Sequence, residues 1–184
     1  MRVIAGEWKG QKLATPAGRT IRPTADQVRT AVMDTLAPWL PGARFLDLFA
    51  GAGGVGIEAL SRGAAEALFV EIDPIALAPL RENLGRLGAQ GRWRVVRREV
   101  AHALEALKRA EERFRLIFLD PPYGSALAAE TLKRLADGAL LEPEGVVVAQ
   151  HLTKEPLPER FGSLALWKSR RFGETTLTFF RRAE

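Results

Sequence analysis

The sequence predicts an α/β fold built on a mostly parallel, seven-stranded sheet. Short apolar runs alternate with helix-like segments through the middle of the chain, and a glycine-rich loop joins the first apolar run to the helix after it. The last two β-prone runs have no helix between them. Strands that alternate with helices form parallel sheets with helices on both faces, whereas two runs joined by a short turn form an antiparallel hairpin.

The amino-terminal part is predicted to be an extension over residues 1–24, followed by one α/β domain over residues 25–184. The segment RVIAGEWKGQKLATP has two short β-prone runs around Gly6 and Gly10, which is typical of a hairpin. Turn-forming residues follow it in PAGRTIRPTADQ.

Helices and strands then follow in a regular order. Thr24 is a predicted helix cap, because an apolar stripe at helical spacing follows it and Pro38 ends the pattern. The later predicted elements are strand 44–50, helix 55–63, strand 66–73, helix 74–87, strand 93–98, helix 101–110, strand 114–120, helix 126–137 and strand 145–152. Residues 164–182 form two β runs around Phe172, Gly173 and Glu174, which predicts an antiparallel hairpin at the sheet edge.

Composition excludes several kinds of chemistry. The chain has 184 residues and no cysteine, which excludes disulfides, thiolate metal sites and cysteine nucleophiles. Only two histidines are present, so we expect no metal site. The chain has no apolar run long enough to span a membrane and no signal-peptide pattern, so we expect a cytoplasmic protein without a membrane partner. The size and the lack of a long apolar surface helix predict a monomer.

A nucleotide-binding loop is predicted in LDLFAGAGGVGIEAL. Gly51, Gly53 and Gly56 have the GxGxxG spacing directly after a strand and before a helix. Glu71 ends the next strand, where a carboxylate can accept hydrogen bonds from ribose hydroxyls. NAD and S-adenosylmethionine both fit such a loop. Asp47, four residues before Gly51, suits the amine of S-adenosylmethionine better than a pyrophosphate.

The segment DPPY, Asp120 to Tyr123, ends the strand FRLIFL and indicates chemistry on an amino nitrogen. An exocyclic purine amine is a poor nucleophile until acceptors hold its hydrogens and orient its lone pair. The Asp120 carboxylate can be one acceptor, and the Pro121 carbonyl, which the proline ring helps hold in place, can be the second, while Tyr123 can stack on a flipped base. Hydride transfer would give this segment no role, which favours S-adenosylmethionine as the cofactor.

Together these motifs resemble the class I S-adenosylmethionine-dependent methyltransferases, which have a Rossmann-like domain. The opening RVIAGEWKGQKL, RPTADQVR, LDLFAGAGGVGIEALSRGA, VEID and FLDPPY, in this order, are more narrowly similar to the RsmD family. That family methylates the guanine N2 amine in 16S ribosomal RNA of the small subunit. The resemblance implies a catalytic segment of Asp120, Pro121, Pro122 and Tyr123, and cofactor contacts from Asp47, Phe49, Ala50, Gly51, Gly53, Glu71, Ile72, Glu99 and Asp120.

The resemblance also implies that the segment Arg22, Pro23 and Thr24 closes over the cofactor or the target. Basic residues outnumber acidic ones in the first thirty positions, and phosphate contacts need such a surface. The candidates for RNA contact are Lys9, Lys12, Arg19, Arg22, Thr24 and Tyr123, with 16S ribosomal RNA or the small subunit as the partner. DPPY also occurs in adenine DNA methyltransferases, so an adenine-N6 DNA methyltransferase stays an alternative, as do a nicotinamide-dependent oxidoreductase and a catalytically silent nucleic-acid-binding module.

Overall fold

A computed structural model describes residues 1–18 and 23–183, with Pro23 and Thr24 described by their backbone alone. The helices are α1 (Pro23–Leu36), a 3₁₀ turn (Ala37–Trp39), α2 (Gly54–Ser61), α3 (Pro74–Leu87), α4 (Val100–Arg109) and α5 (Leu127–Leu135). The strands are β1 (Arg44–Leu48), β2 (Glu66–Val70), β3 (Trp93–Val96), β4 (Phe114–Leu119), β5 (Leu141–Leu152), β6 (Arg160–Phe161), β7 (Leu164–Phe172) and β8 (Thr175–Arg182).

Across the described residues the strands form one sheet in the order β3-β2-β1-β4-β5-β8-β7-β6. The first five strands in this order are parallel, and β8, β7 and β6 run antiparallel to their neighbours. The carboxyl ends of β1, β2 and β4 therefore meet at one edge of the sheet, which is where ligands bind in open α/β folds.

The predicted α/β class, the parallel sheet and the antiparallel carboxyl-terminal hairpin are confirmed. The strand count differs by one, because the two-residue strand β6 pairs with the start of β7 and the described part of the sheet has eight strands. Two residues are too few for any alternation to be detected in a sequence. At the amino terminus a single antiparallel bridge joins Arg2 to Lys12 in place of the full predicted hairpin. The first helix begins at Pro23, one residue before the predicted cap Thr24.

The central strands β1, β2 and β4 are buried on both faces of the sheet, and the two cores differ in the helices that cover them. Phe45, Phe69 and Phe118 pack against α1, α2 and α3 on one face, while Leu46 and Ile117 pack against α4 and α5 on the other. Burial on both faces explains why β1, β2 and β4 are continuous apolar runs without alternation. Within the described ranges, no helix has the length and hydropathy needed to cross a bilayer.

The amino-terminal segment packs directly on α2. Glu58 of α2 is only 1% exposed, and its two carboxylate oxygens accept hydrogen bonds of 2.9 Å from the backbone amides of Ile4 and Ala5. Arg62 Nε donates to Glu58 at 3.0 Å, and Arg29 Nε of α1 lies 3.7 Å from the same carboxylate. This buried carboxylate thus joins the extension to α1 and α2, and its charge is balanced by two guanidinium groups.

Candidate active site

Three carboxylates converge at the carboxyl edge of the parallel sheet. Asp47 lies near the end of β1, Glu71 directly follows β2, and Asp120 directly follows β4. The backbone amide of Asp120 continues the ladder between β4 and β1, because it donates to the Leu48 carbonyl at 3.4 Å. Since β1 lies between β2 and β4, the three acidic side chains surround one small region of negative charge.

Asp47 is the most buried of the three, with 1% of its surface exposed. Burial raises its pKa well above the usual range, and the nearby Asp120 and Glu71 raise it further, while a hydrogen bond of 2.9 Å from the Gly56 amide to Oδ2 acts in the opposite direction. An approaching cation would favour the ionised form of Asp47. The site is therefore suited to a positively charged ligand.

The loop between β1 and α2 has three residues with left-handed backbone, Phe49, Gly51 and Gly53. Gly53 has a φ of 87°, and a Cβ atom there would lie 2.4 Å from Leu80 Cδ1, so only glycine fits both the turn and the packing. Phe49 has a φ of 59°, which is strained for a residue with a side chain. Strain of this kind concentrates at functional sites, and Phe49 lines the adjoining cleft.

Glu71 holds the loop in place through backbone hydrogen bonds. Its Oε2 accepts a hydrogen bond of 2.8 Å from the Gly51 amide, and its Oε1 accepts bonds of 2.8 Å from the amides of Ile72 and Asp73. Each carboxylate oxygen has two lone pairs, and only Oε2 has one left, so Glu71 keeps one acceptor position for a ribose hydroxyl. The same side chain can position the loop and bind a ligand.

A cleft of about 380 Å³ extends from Glu71 along the sheet edge. It is large enough for an adenosine-sized ligand. Glu99, which precedes α4 directly, lies in the wall of this cleft. The cleft is lined by Phe49, Glu71, Ile72, Arg98, Glu99, Val100, Ala101, Pro122, Leu127, Glu130, Thr131 and Arg134.

The DPPY segment borders this cleft through Pro122. Burial raises the pKa of Asp120 to about 7. Pro121 is buried, whereas the side chain of Tyr123 is 47% exposed. The Tyr123 hydroxyl accepts a hydrogen bond of 3.0 Å from Gln150 Nε2 and lies 3.3 Å from Thr175 Oγ1. An acceptor and an accessible aromatic ring thus lie on either side of the Pro121-Pro122 pair, of which Pro122 lines the cleft.

The predicted cofactor and catalytic residues come together at this edge, including Tyr123, which is also a predicted RNA contact, whereas Lys9 and Lys12 lie elsewhere. Lys9 follows Trp8, whose amide donates to Ser61 at the far end of α2 from the glycine loop. The carbonyl of Lys12 accepts from Arg86 in the last turn of α3, which is also remote from the site. Arg19 and Arg22 lie outside the described residues, as does the side chain of Thr24.

Three polar residues at the site were not predicted. Gln150 and Thr175 hold Tyr123, and Asn83 of α3 accepts from the Ala14 amide at 2.7 Å while donating to the carbonyls of Ala14 and Ala52 at 2.9 and 3.1 Å. Asn83 therefore joins the amino-terminal segment to the glycine loop. A polar residue on the apolar face of a helix, or at the end of a buried strand, is the sequence signal that could have identified Asn83 and Gln150.

The sheet, the glycine loop after β1, the acidic residue after β2 and the DPPY segment after β4 place the protein in the class I methyltransferases. The chain belongs to the family described as Conserved hypothetical protein 95, whose match covers residues 1–181. Full-length similarity to proteins named small subunit methyltransferase D confirms the resemblance to the RsmD family.

Individual relatives match over most of their length. Ribosomal RNA small subunit methyltransferase D of Escherichia coli (strain K12) is 34% identical over 182 residues, covering 99% of this chain and 90% of that protein. The Haemophilus influenzae protein of the same name is 33% identical over 159 residues, covering 85% and 81%. A hypothetical protein from Thermus thermophilus has a solved structure with a TM-score of 0.84 and 37% identity, covering 100% of this chain and 99% of that one.

A more distant structure shares the fold alone. It is SMU.776, described as complexed with SAH, with 14% identity and a TM-score of 0.71 over 94% of this chain and 52% of its own. The fold of this protein therefore extends well beyond its family.

Proposed function

We propose that the protein transfers the methyl group of S-adenosylmethionine to the exocyclic N2 amine of a guanine in 16S ribosomal RNA of the small subunit. The observation that carries the proposal is the position of Asp120 and Tyr123 beside a cleft lined by carboxylates. An amine acceptor, a stacking ring and a site for a cationic cofactor lie within one sheet edge.

The charge of the site favours S-adenosylmethionine over a nicotinamide dinucleotide. The carboxylates of Asp47, Glu71 and Asp120 would repel a pyrophosphate, whereas they attract a sulfonium and an ammonium group. Asp47 would bind the amine, Glu71 the ribose, and Ile72 and Glu99 the adenine. The bound cofactor supplies a methyl group activated by the positive sulfur.

The DPPY segment would orient the guanine amine toward that methyl group. The Asp120 carboxylate and the Pro121 carbonyl accept the two amine hydrogens and direct the lone pair outward. The bound cofactor would supply its methyl group to the amine nitrogen with loss of the carbon–sulfur bond, and the product amine would lose one proton to Asp120 or to water. Catalysis is positioning and electrostatic stabilisation without a covalent enzyme intermediate.

The choice of ribosomal RNA rests on the relatives and on charge. Two relatives of the chain are named for the ribosomal small subunit, and the chain has a net charge of +5. The exposed ring of Tyr123 can stack on a base that has left its helix. Asp120 and Tyr123 suit guanine and adenine amines alike, so the resemblance to the RsmD family is what favours guanine.

The test is methyl transfer from labelled S-adenosylmethionine to small ribosomal subunits, free 16S RNA and duplex DNA in parallel. The modified nucleoside is identified by mass spectrometry, and an Asp120→Ala variant with measured cofactor binding serves as the control. N2-methylguanosine in ribosomal samples only, lost in the variant, is the expected result. Methyladenine in DNA would keep the catalytic argument and overturn the substrate.

A further inference from the structure

A groove with no role in the proposed reaction lies between α1 and β7. Its volume is about 480 Å³, which is in the usual range for a ligand site. One wall comes from α1 and the amino-terminal segment, and the other comes from β7. The lining residues are Ile4, Asp26, Gln27, Thr30, Ala31, Asp34, Arg170 and Phe172.

This groove opens on the same face and end of the sheet as the contacts of Tyr123. Phe172 pairs with Thr175, whose Oγ1 lies 3.3 Å from the Tyr123 hydroxyl. Arg170 and Gln150 both pair with Leu177, so their side chains project to the same face of the sheet. A chain whose base stacks on Tyr123 would therefore have this groove beside it.

The chemistry of the β7 wall fits a nucleotide. The exposed Arg170 guanidinium lies 5.5 Å from the centre of the Phe172 ring, and this cation–π contact stabilises the position of the guanidinium. Bases stack on guanidinium planes, and the same group can donate to a phosphate. The negative charge of the opposite wall is reduced, because Asp26 pairs with Arg29 and Asp34 pairs with Arg62, each at 3.1 Å, although both guanidinium groups are shared with Glu58.

We propose that this groove holds a nucleotide next to the target guanine, with Arg170 stacking on its base and contacting its phosphate. Phe172 acts as a positioning residue that keeps the guanidinium in place. The inference rests on the proposed function and adds to it the path of the bound RNA strand beside the active site. It also replaces the remote Lys9 and Lys12 with a basic residue close to the site.

The test compares Arg170→Ala, Arg170→Lys, Phe172→Ala and Phe172→Trp in methylation of small ribosomal subunits over a range of salt concentrations. Arg160→Ala is the matched control, because Arg160 is an exposed arginine on β6 that lies beside the opposite end of β7. Binding of S-adenosylhomocysteine, measured by calorimetry, verifies that each variant keeps its fold and cofactor site.

We expect Arg170→Ala to lower kcat/KM for the RNA about fivefold or more, as loss of a stacked base does, with cofactor binding unchanged. Its plot of log kcat/KM against log salt should become shallower by about 0.7, the value for one phosphate contact on a single strand. Arg170→Lys should restore the salt slope but only part of kcat/KM. Phe172→Trp should keep the activity that Phe172→Ala loses.

If the wild type is active and the Arg170→Ala variant behaves like Arg160→Ala, this inference is wrong and the proposed function stands. Full activity of Arg170→Lys would overturn the stacking role of the guanidinium. A wild type that methylates no ribosomal RNA would overturn the proposed function and the inference together.

Discussion

The side-chain amide of Gln150 donates a hydrogen bond of 3.0 Å to the hydroxyl of Tyr123. This bond fixes the ring of the catalytic segment against the carboxyl end of β5, and Thr175 Oγ1 lies 3.3 Å from the same hydroxyl. A ring held in this way loses less conformational freedom when a base stacks on it. The two residues therefore contribute to the order of a segment that is otherwise an exposed loop.

Replacement of Gln150 should slow methylation without weakening cofactor binding. In Gln150→Leu we expect kcat to fall by about tenfold, which corresponds to one hydrogen bond of roughly 1.4 kcal/mol. Tyr123→Phe should have a similar effect, and the double variant should be no worse than either single one, because both remove the same interaction. Rates on small ribosomal subunits are the measurement.

Gln90→Leu is the matched control for that experiment, because Gln90 is exposed in the turn before β3. Additive losses in the double variant would show that the bond between Tyr123 and Gln150 does not act as a unit.

The raised pKa of Asp120 predicts a pH profile for methylation. The ionised carboxylate is a stronger acceptor for an amine hydrogen than the protonated acid and can also take the product proton, and the pKa of Asp120 is raised to about 7. We expect kcat/KM to fall roughly tenfold per pH unit below that value and to level off above it. Asp120→Asn keeps an acceptor oxygen that does not titrate, so its low activity should be flat across this range. The same inflection in Asp120→Asn would assign the titration to another group.

Two loop glycines should respond differently to substitution by alanine. At Gly51, where φ is 58° and a Cβ meets nothing within 4 Å, alanine adds only backbone strain, of about 1 kcal/mol. At Gly53 a Cβ would also clash with Leu80, so Gly53→Ala should lower the free energy of unfolding by more than Gly51→Ala does. Urea unfolding of both variants measures the difference. Equal losses would contradict the packing argument.

Asn83 should affect cofactor binding because it contacts the glycine loop through the Ala52 carbonyl. Asn83→Ala leaves the amide of Ala14 and the carbonyls of Ala14 and Ala52 without their partner, at a cost of about 1–3 kcal/mol. We expect a lower melting temperature and weaker binding of S-adenosylhomocysteine, because the glycine loop loses one of its supports. The exposed Arg81→Ala in the same helix is the control, and a variant indistinguishable from it would show that Asn83 supports neither segment.

By itself, the sequence determined the α/β class, the order of the elements and the residues that define the class. Local rules suffice for these: apolar runs without alternation indicate strands buried on both faces, glycine spacing indicates the turn before α2, and two prolines must end β4 after Asp120. Strand β6 has only two residues, which is too short for these rules to detect.

Only the tertiary structure decided which distant residues meet. The bond between Gln150 and Tyr123, the bridge from Asn83 to Ala14 and Ala52, and the groove beside Arg170 each join segments that are far apart in the chain. The same packing places Lys9 and Lys12 away from the active site. Their position in a basic stretch of the sequence had predicted that they contact RNA beside it. Side-chain partners depend on how helices and strands pack together, and no local pattern of residues encodes that arrangement.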